Sequence, residues 1–476
     1  MRCYNKCYNN YTSNRYISYD VSKNIKLNKG FDIKVAGKAT KNLVTGSLSS
    51  SYAIKPTDFL GVERPKVVVQ KGDLVKAGSP IFFDKKNDKV KITSPVSGEI
   101  AEVIRGEKNV PLEVRIIADT QIEYVAFKKY TLSELNSVSN EMAVNALCES
   151  GVFANFIQRP FGTMARPEDK PKAIHVSTFD TAPLAADVAF TLKGDEKYFT
   201  AGIEILKKLS QKVNINLNAG TELALIFAQT KDVNFNTFTG KHPAGNVGIQ
   251  IHHIDPINKG EIVWTISAFG VAQIGKLFLE GKYDASKIIA VAGSEVTKPQ
   301  YYKTFTGACI NKLVENNLNS QNVRFISGNI LTGEKISQDG YLNFYHNSLS
   351  VLPEGNYYDF LGWISPLAKT SKSLSFQRAF GLFSFLAPQK EYVLDTNTHG
   401  EERAFVQTGV YEEVLPMDIL PAYLLKAILA NDYDAMEELG IYEMIEEDIA
   451  LCEFVDVSKM NMQKILREGL DMIQNS

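Results

Sequence analysis

The sequence predicts a multidomain α/β protein whose units follow in the order barrel-sandwich domain, Rossmann-like α/β domain, β-grasp domain and C-terminal helical bundle. Three observations carry that prediction. The chain has 476 residues, more than one compact core accommodates and enough for about three or four folding units. Its apolar residues alternate with period two between Pro65 and Val103, and from Glu141 onward strands alternate with amphipathic helices. After Pro416 the pattern is helical alone.

Residues 1–22 are crowded with Tyr and Asn and lack the apolar core of a signal peptide, so a non-native or disordered extension is expected there, with translation starting at Val21. Residues 23–125 are expected to form the barrel-sandwich unit, which resembles biotinyl/lipoyl domains. Lys71-Gly72-Asp73 and Ala77-Gly78-Ser79-Pro80 are turns flanking short strands, Asp84 to Lys89 is a charged hairpin, and Ser94-Pro95-Val96-Ser97-Gly98 leads into Ile100 to Ile104. Lys85, Lys86 and Lys89 crowd the hairpin tip without the flanking residues that carrier-modifying enzymes recognise, so a solvated basic turn is expected.

Residues 126–286 form the Rossmann-like unit. Val144, Leu147 and Cys148 share a helical face, as do Ile203, Leu206 and Leu209; Ala173 to Val176, Leu223 to Phe227 and Ile262 to Ile266 are strand candidates. Ile249 to Ile254 is expected as a further strand. A helix with Val271, Ile274, Leu277 and Phe278 inward should stop at Gly281. Residues 287–355 are expected to be a β-grasp (SLBB-like) unit, with strands at Ile288 to Val291, Val323 to Ser327 and Tyr341 to Phe344 around a helix from Gly307 to Asn316. In residues 356–476, Ile419, Leu420, Tyr423, Leu424, Ala427 and Ile428 form one apolar helix face, and Met462, Ile465, Leu466 and Ile473 another.

Composition excludes several functions. With 44% hydrophobic and 22% charged residues and a net charge of −2, nothing points to nucleic acid. No apolar run is long enough for a transmembrane helix. Five scattered cysteines, Cys3, Cys7, Cys148, Cys309 and Cys452, fit a reducing compartment and not a disulfide framework, and no metal site is expected.

Several motifs resemble one family in the correct order. Lys23 to Asp32, the run His242-Pro243-Ala244-Gly245-Asn246-Val247-Gly248 followed by Ile251-His252 and Asp255-Pro256, Arg324 to Gly328, the region from Phe344-Tyr345-His346 to Leu361-Gly362-Trp363, and Glu446 to Phe454 are similar to the A subunits of bacterial Na+-translocating NADH:quinone oxidoreductases (NQR complexes). The similarity spans essentially everything after Val21. It implies a peripheral subunit on the cytoplasmic face of the inner membrane, docked on the other subunits, especially the membrane-embedded quinone-side one, with quinone as a possible ligand. It further implies that this chain binds no cofactor and that FMN, FAD, riboflavin and iron centres reside on other subunits.

The residues agree with that implication. In flavin-binding cousins a glycine-dense loop precedes the first sheet strand and lets the backbone approach phosphate. Here the corresponding stretch runs from Gly151 through Phe153, Phe156 and Arg159 to Gly162, and its aromatic bulk obstructs such an approach. Cys452 alone cannot hold an iron–sulfur cluster, and Gly328 to Gly333 misses the phosphate-binding loop because Glu334 stands where Lys is required. The quinone-region or interface candidates are His242, Pro243, Gly245, Gly248, His252 and Asp255, since an imidazole can exchange hydrogen bonds or protons with a carbonyl; no catalytic residue is assigned. On a strand, His252 and His253 would point to opposite faces. His175, His346 and His399 are expected to be core or surface residues. Two rival readings remain: an FMN-bearing electron-entry subunit, and a lipoyl-like interaction module outside respiration.

Overall fold

The computed structural model describes residues 21–46, 49–219, 230, 232–357, 391–398, 400–405 and 409–475. The strand candidate Leu223 to Phe227, the Leu361-Gly362-Trp363 motif, His399, Cys3 and Cys7 lie outside the described residues.

Two small sheets form the barrel-sandwich. One orders Ser51–Ile54, Pro111–Ala118, Gly98–Arg105 and Leu74–Val75; the other orders Pro65–Val67, Pro80–Asp84 and Asn87–Thr93. Their inward residues, among them Ile81, Phe82, Val96, Ile100, Val114 and Ile116, are almost completely buried. Alternation along Gly98–Arg105 and Pro111–Ala118 puts one side of each strand in this core. At the hairpin tip, Lys86 pairs with Glu63, and Lys89 lies 3.0 Å from Glu168.

The α/β unit is built on a seven-stranded sheet ordered Val21–Lys26, Asn234–Thr239, Val213–Asn218, Ile174–Ser177, Val263–Ser267, Ile157–Arg159 and Thr163–Met164. The first five strands are mutually parallel; Ile157–Arg159 runs antiparallel to Val263–Ser267, and Thr163–Met164 runs antiparallel to Ile157–Arg159. The helices Glu196–Leu209 and Ala268–Glu280 pack on each other and bury Phe199, Ile203, Leu206, Val271, Ile274 and Leu277. Ser267 caps the second helix by accepting from the Gly270 amide, and Gly281 ends it in the left-handed conformation, where the sequence placed the stop.

A mixed sheet follows, ordered Glu334–Ile336, Val323–Ser327, Ser348–Pro353, Ser286–Ala292, Gln300–Phe305 and Thr40–Val44. The C-terminal region is helical: Val410–Val414, Pro421–Leu429, Tyr433–Glu438, Glu446–Val455 and Met462–Asn475 pack around Leu424, Leu425, Met436, Leu451, Leu466 and Leu470. Among the described residues no helix is long and apolar enough to cross a membrane.

Five expectations are corrected. Segment 249–254 is not a strand but part of the helix Val247–Ile254; Gly248, Ile249, Gln250 and Ile251 are buried in succession, and surroundings closed on all sides override the β preference of three isoleucines. Tyr341 to Phe344 is no strand: Tyr341 makes only an isolated bridge to Cys309, and Ser348–Pro353 takes the central place between Val323–Ser327 and Ser286–Ala292. The helix expected from Gly307 to Asn316 shrinks to Asn311–Val314. Leu420 and Tyr423 are exposed because Pro421 opens the helix and turns Leu424, Leu425 and Ile428 inward. Finally, segment 23–125 serves four sheets, not only the two of the barrel-sandwich: Val21–Lys26 edges the large parallel sheet, reaching two residues into the segment read as an extension, and Thr40–Val44 pairs with Gln300–Phe305.

Candidate functional site

In chain order, Ile174–Ser177, Val213–Asn218, Asn234–Thr239 and Val263–Ser267 are consecutive parallel strands, and in the sheet they lie in the order third, second, first, fourth. The winding reverses between Ile174–Ser177 and Val263–Ser267. Loops leaving the carboxyl ends of those two strands diverge there, which opens a crevice. A cleft of about 400 Å³ occupies that place; Ser177, Asp180, His242, Ser267, Lys287 and Glu447 are among its lining residues, so the α/β unit, the following sheet and the C-terminal helices all contribute.

His242 sits at this cleft with 2% of its surface exposed. Its amide donates to Asp32 Oδ1 (2.9 Å) and its ring Nδ1 shares a hydrogen bond with Thr181 Oγ1 (3.1 Å), while Nε2 is buried without a partner. Burial holds the imidazole down to about 4, so it is neutral near pH 7. The Gly245 amide donates to the same Thr181 oxygen (2.9 Å). A Cβ at Gly245 would lie 2.5 Å from the Thr181 nitrogen, so only glycine permits this approach. Pro243 follows His242 through a cis peptide bond.

Gly248 faces a different feature. A Cβ there would stand 2.4 Å from both Asp448 carboxylate oxygens and 2.5 Å from Arg159 Nη1. Arg159 is buried, donating to Asp448 Oδ2 (2.6 Å) and to Glu447 Oε1. The Asn246 side chain donates to the Glu447 carbonyl (2.7 Å). Burial holds the Glu447 carboxyl well above the usual range against the pull of Arg159, and the nearby Asp448 and Asp180 carboxylates add to the rise. Glu447 is 35% exposed, but that exposure is to the cleft it lines, with protein around it.

His252 and His253 are neighbours on the helix, and both reach the C-terminal region. His252 Nε2 accepts from the Asp418 amide (3.1 Å), so Nδ1 carries the proton shared with Glu443 Oε2 (2.7 Å); His253 Nε2 donates to the Pro416 carbonyl (2.8 Å). Asp255 lies apart from the cleft and pairs with Lys172 (2.7 Å) and Lys212 (3.7 Å).

The loop compared with a flavin site is filled. Phe153, Phe156 and Trp264 are buried with ring centroids 5.3 to 5.6 Å apart. Gly151 has φ 82°, and a Cβ on it would meet Thr93 Oγ1 of the barrel-sandwich at 2.4 Å. Gly162 (φ 66°) packs on Ile445, and Arg467 Nη1 donates to the adjacent Phe161 carbonyl (2.8 Å). Gly151 and Gly162 therefore serve packing between units.

Sequence reasoning did not single out Lys287, Asp180 or Trp264, and it gave no role to Glu447 or Asp448, which it met only inside the Glu446 to Phe454 motif. Lys287 is 4% exposed, donates to the Phe344 and His346 carbonyls (2.9 Å each) and is brought down to about 7 by burial. A lysine interrupting the apolar strand Ser286–Ala292 is a signal that was available. His175 and His346 are buried, bonded to Asn214 (3.2 Å) and Ser327 (3.0 Å), and both lowered to about 3 by burial. Among the described residues no group of three or more His, Cys, Asp or Glu side chains could hold a metal ion.

Comparison with known proteins adds an independent line of support. Models described as the NqrA N-terminal barrel-sandwich hybrid domain, the NqrA second alpha/beta domain and the NQRA C-terminal domain match residues 25–119, 138–283 and 288–338. Over 452 residues the chain is 38% identical to the Na(+)-translocating NADH-quinone reductase A subunit of Haemophilus influenzae, covering 94% of this chain and 99% of that one. The corresponding reductase subunits from Alcanivorax borkumensis and Yersinia pestis are each 36% identical at the same coverage.

Proposed function

The chain belongs to the NqrA family, the A subunits of Na(+)-translocating NADH-quinone reductases, and from that premise we propose that it is a peripheral subunit of such a reductase, working in a complex that carries electrons from NADH to a quinone and moves sodium ions across a membrane. It docks on the cytoplasmic face against the membrane-embedded quinone-side subunit. There it helps shape the region where quinone is reduced. The flavins and iron centres reside on other subunits. The third-second-first-fourth strand order supports reading the α/β unit as Rossmann-like, and we read the following mixed sheet as β-grasp and the C-terminal helices as a bundle.

The observation that supports the cofactor-free reading is the buried Phe153–Phe156–Trp264 cluster, which fills the stretch after Gly151 with aromatic bulk where a flavin-binding loop needs close backbone approach. The protein stripped intact from membranes should be colourless, with no visible flavin absorption. A yellow preparation with about one flavin per chain would replace this reading by the FMN-bearing electron-entry one.

A further inference from the structure

We propose that segment 344–346, part of the cleft wall, is a strap whose hold is set by the charge on two side chains buried behind it, Lys287 and Asp58, so that opening of the cleft is linked to proton binding. The strap is gripped from two units. The Asp58 carboxylate of the barrel-sandwich accepts from the Phe344 amide (2.9 Å), and the Lys287 ammonium of the mixed sheet donates to the Phe344 and His346 carbonyls (2.9 Å each). Both backbone polar groups of Phe344 therefore end on ionisable side chains.

Neutral partners would make the same hydrogen bonds without the cost of burying charge, which is high unless an opposite charge stands close by. Lys287 and Asp58 are 4% and 7% exposed, yet they do not pair with each other. The ion-pair partner of Asp58 is Lys55 (3.1 Å), which also reaches Glu334 (3.6 Å). Among the described residues no carboxylate forms an ion pair with Lys287, whose hydrogen bonds go to the two carbonyls.

The strap belongs to no helix or strand, so it can part from the cleft without breaking a sheet ladder. Its side chains hold it by single contacts: the Phe344 ring lies 4.8 Å from that of Phe59, the Tyr345 hydroxyl donates to the Ala154 carbonyl (2.7 Å), and His346 Nδ1 shares a hydrogen bond with Ser327 Oγ (3.0 Å).

The groups facing Lys287 are Asp58, the neutral His346 and the Phe269 ring; those facing Asp58 are Lys55, Glu334 and the Tyr345 phenol. Burial brings Lys287 down to about 7, opposed by Asp58, and lifts Asp58 to about 6 against the pull of Lys55 and the Phe344 amide. Opening hydrates both and returns them toward their ordinary values. Above about pH 7 the opened Lys287 takes up a proton that it lacks when closed, so opening becomes harder as pH rises toward the lysine range. Below about pH 6 the opened Asp58 gives up a proton that it holds when closed, so opening also becomes harder as pH falls. The strap is loosest between the two, where both side chains are charged.

The test is hydrogen exchange of the full chain across pH 6 to 9, read by mass spectrometry at the Phe344, Tyr345 and His346 amides, which bond to Asp58 and Asn343 in the closed strap. After correction for the intrinsic exchange rate, the opening constant should fall on the order of 50-fold from pH 7 to pH 9, with no such trend in the helix Ala268–Glu280. Lys287→Met keeps the bulk without the amine and should flatten this slope. Asp58→Asn keeps an acceptor for the Phe344 amide but removes the charge that holds Lys287 up, so the slope should begin below pH 7. Flat protection in the wild-type chain, a parallel trend in the helix, or an unchanged slope in Lys287→Met overturns the proposal. If Lys287→Met does not fold, Asp58→Asn decides: a slope that begins where it does in the wild-type chain overturns the proposal, and one displaced to lower pH supports it.

Discussion

Arg159 holds two carboxylates at the junction of the α/β unit and the C-terminal helices, and its side chain is 1% exposed. A buried charge removed from such a set leaves its partners uncompensated, at a cost of about 3–5 kcal/mol. Arg159→Met should therefore unfold the C-terminal helices at markedly lower urea, while the barrel-sandwich transition is little changed; near-wild-type unfolding would contradict the assignment. Glu447 gives the pH signature. Its neutral form is favoured in the folded chain because burial raises the carboxyl, so its contribution to stability is full below the ordinary carboxyl range and is lost as pH rises through the raised value. His175, His242 and His346, all lowered, act in the opposite sense: their contribution is present above the ordinary imidazole value and fades as pH falls toward about 3 to 4. The clean observable is thus a difference. Glu447→Gln should gain stability relative to wild type between about pH 5 and about pH 8, and a pH-independent difference would refute the raised carboxyl.

At the scale of the element, the helix Val247–Ile254 is the piece that joins the cleft to the C-terminal region. Its first turn carries Gly248 against the Arg159–Asp448 pair, and its last turn carries His252 and His253 into Glu443, the Asp418 amide and the Pro416 carbonyl. Gly248→Ala places a methyl where carboxylate oxygens now sit, and overpacking of this kind costs about 1–3 kcal/mol. His252→Ala leaves Glu443 and the Asp418 amide without their partner, a loss of about 1–2 kcal/mol. A double-mutant cycle of His252→Ala with Glu443→Ala should show coupling of roughly 0.5–1.5 kcal/mol, and zero coupling would mean that the contact is idle. The strand expected here failed for a reason visible in the burial: with four successive residues enclosed, an element cannot show the alternation of a half-exposed strand, and its short apolar run looks alike in either conformation.

For the whole molecule, the N-terminal chain works as a stitch. Val21–Lys26 closes the large sheet and Thr40–Val44 closes the mixed one, before the barrel-sandwich begins at Ser51–Ile54. The cleft depends on three of the units being held together, since Asp180, Lys287 and Glu447 come from the α/β unit, the mixed sheet and the C-terminal helices. Replacing Gly245 and Gly248 together by alanine should therefore impair assembly with the other subunits more than it impairs NADH oxidation by the remaining complex. Co-sedimentation with salt-washed membranes reads the first and NADH-dependent dye reduction the second; equal loss of both would count against a purely assembling role.

Local chemistry was enough to place the turns of the barrel-sandwich, the stop at Gly281, the strand Val323–Ser327 and the aromatic bulk between Gly151 and Gly162, because each follows from residues adjacent in the chain. The motif around His242 to Gly248 could likewise be picked out by its residues. What that motif touches could not. Arg159 meets Asp448 across nearly three hundred residues, Lys287 finds its carbonyl partners just before the paired strand of its own sheet, 57 and 59 residues on, and the first strand pairs with one more than two hundred residues later. Whether a charged side chain is paired and buried, or a glycine is needed for close approach, depends on which distant surface closes over it, and that was decided by the packing of the units against one another.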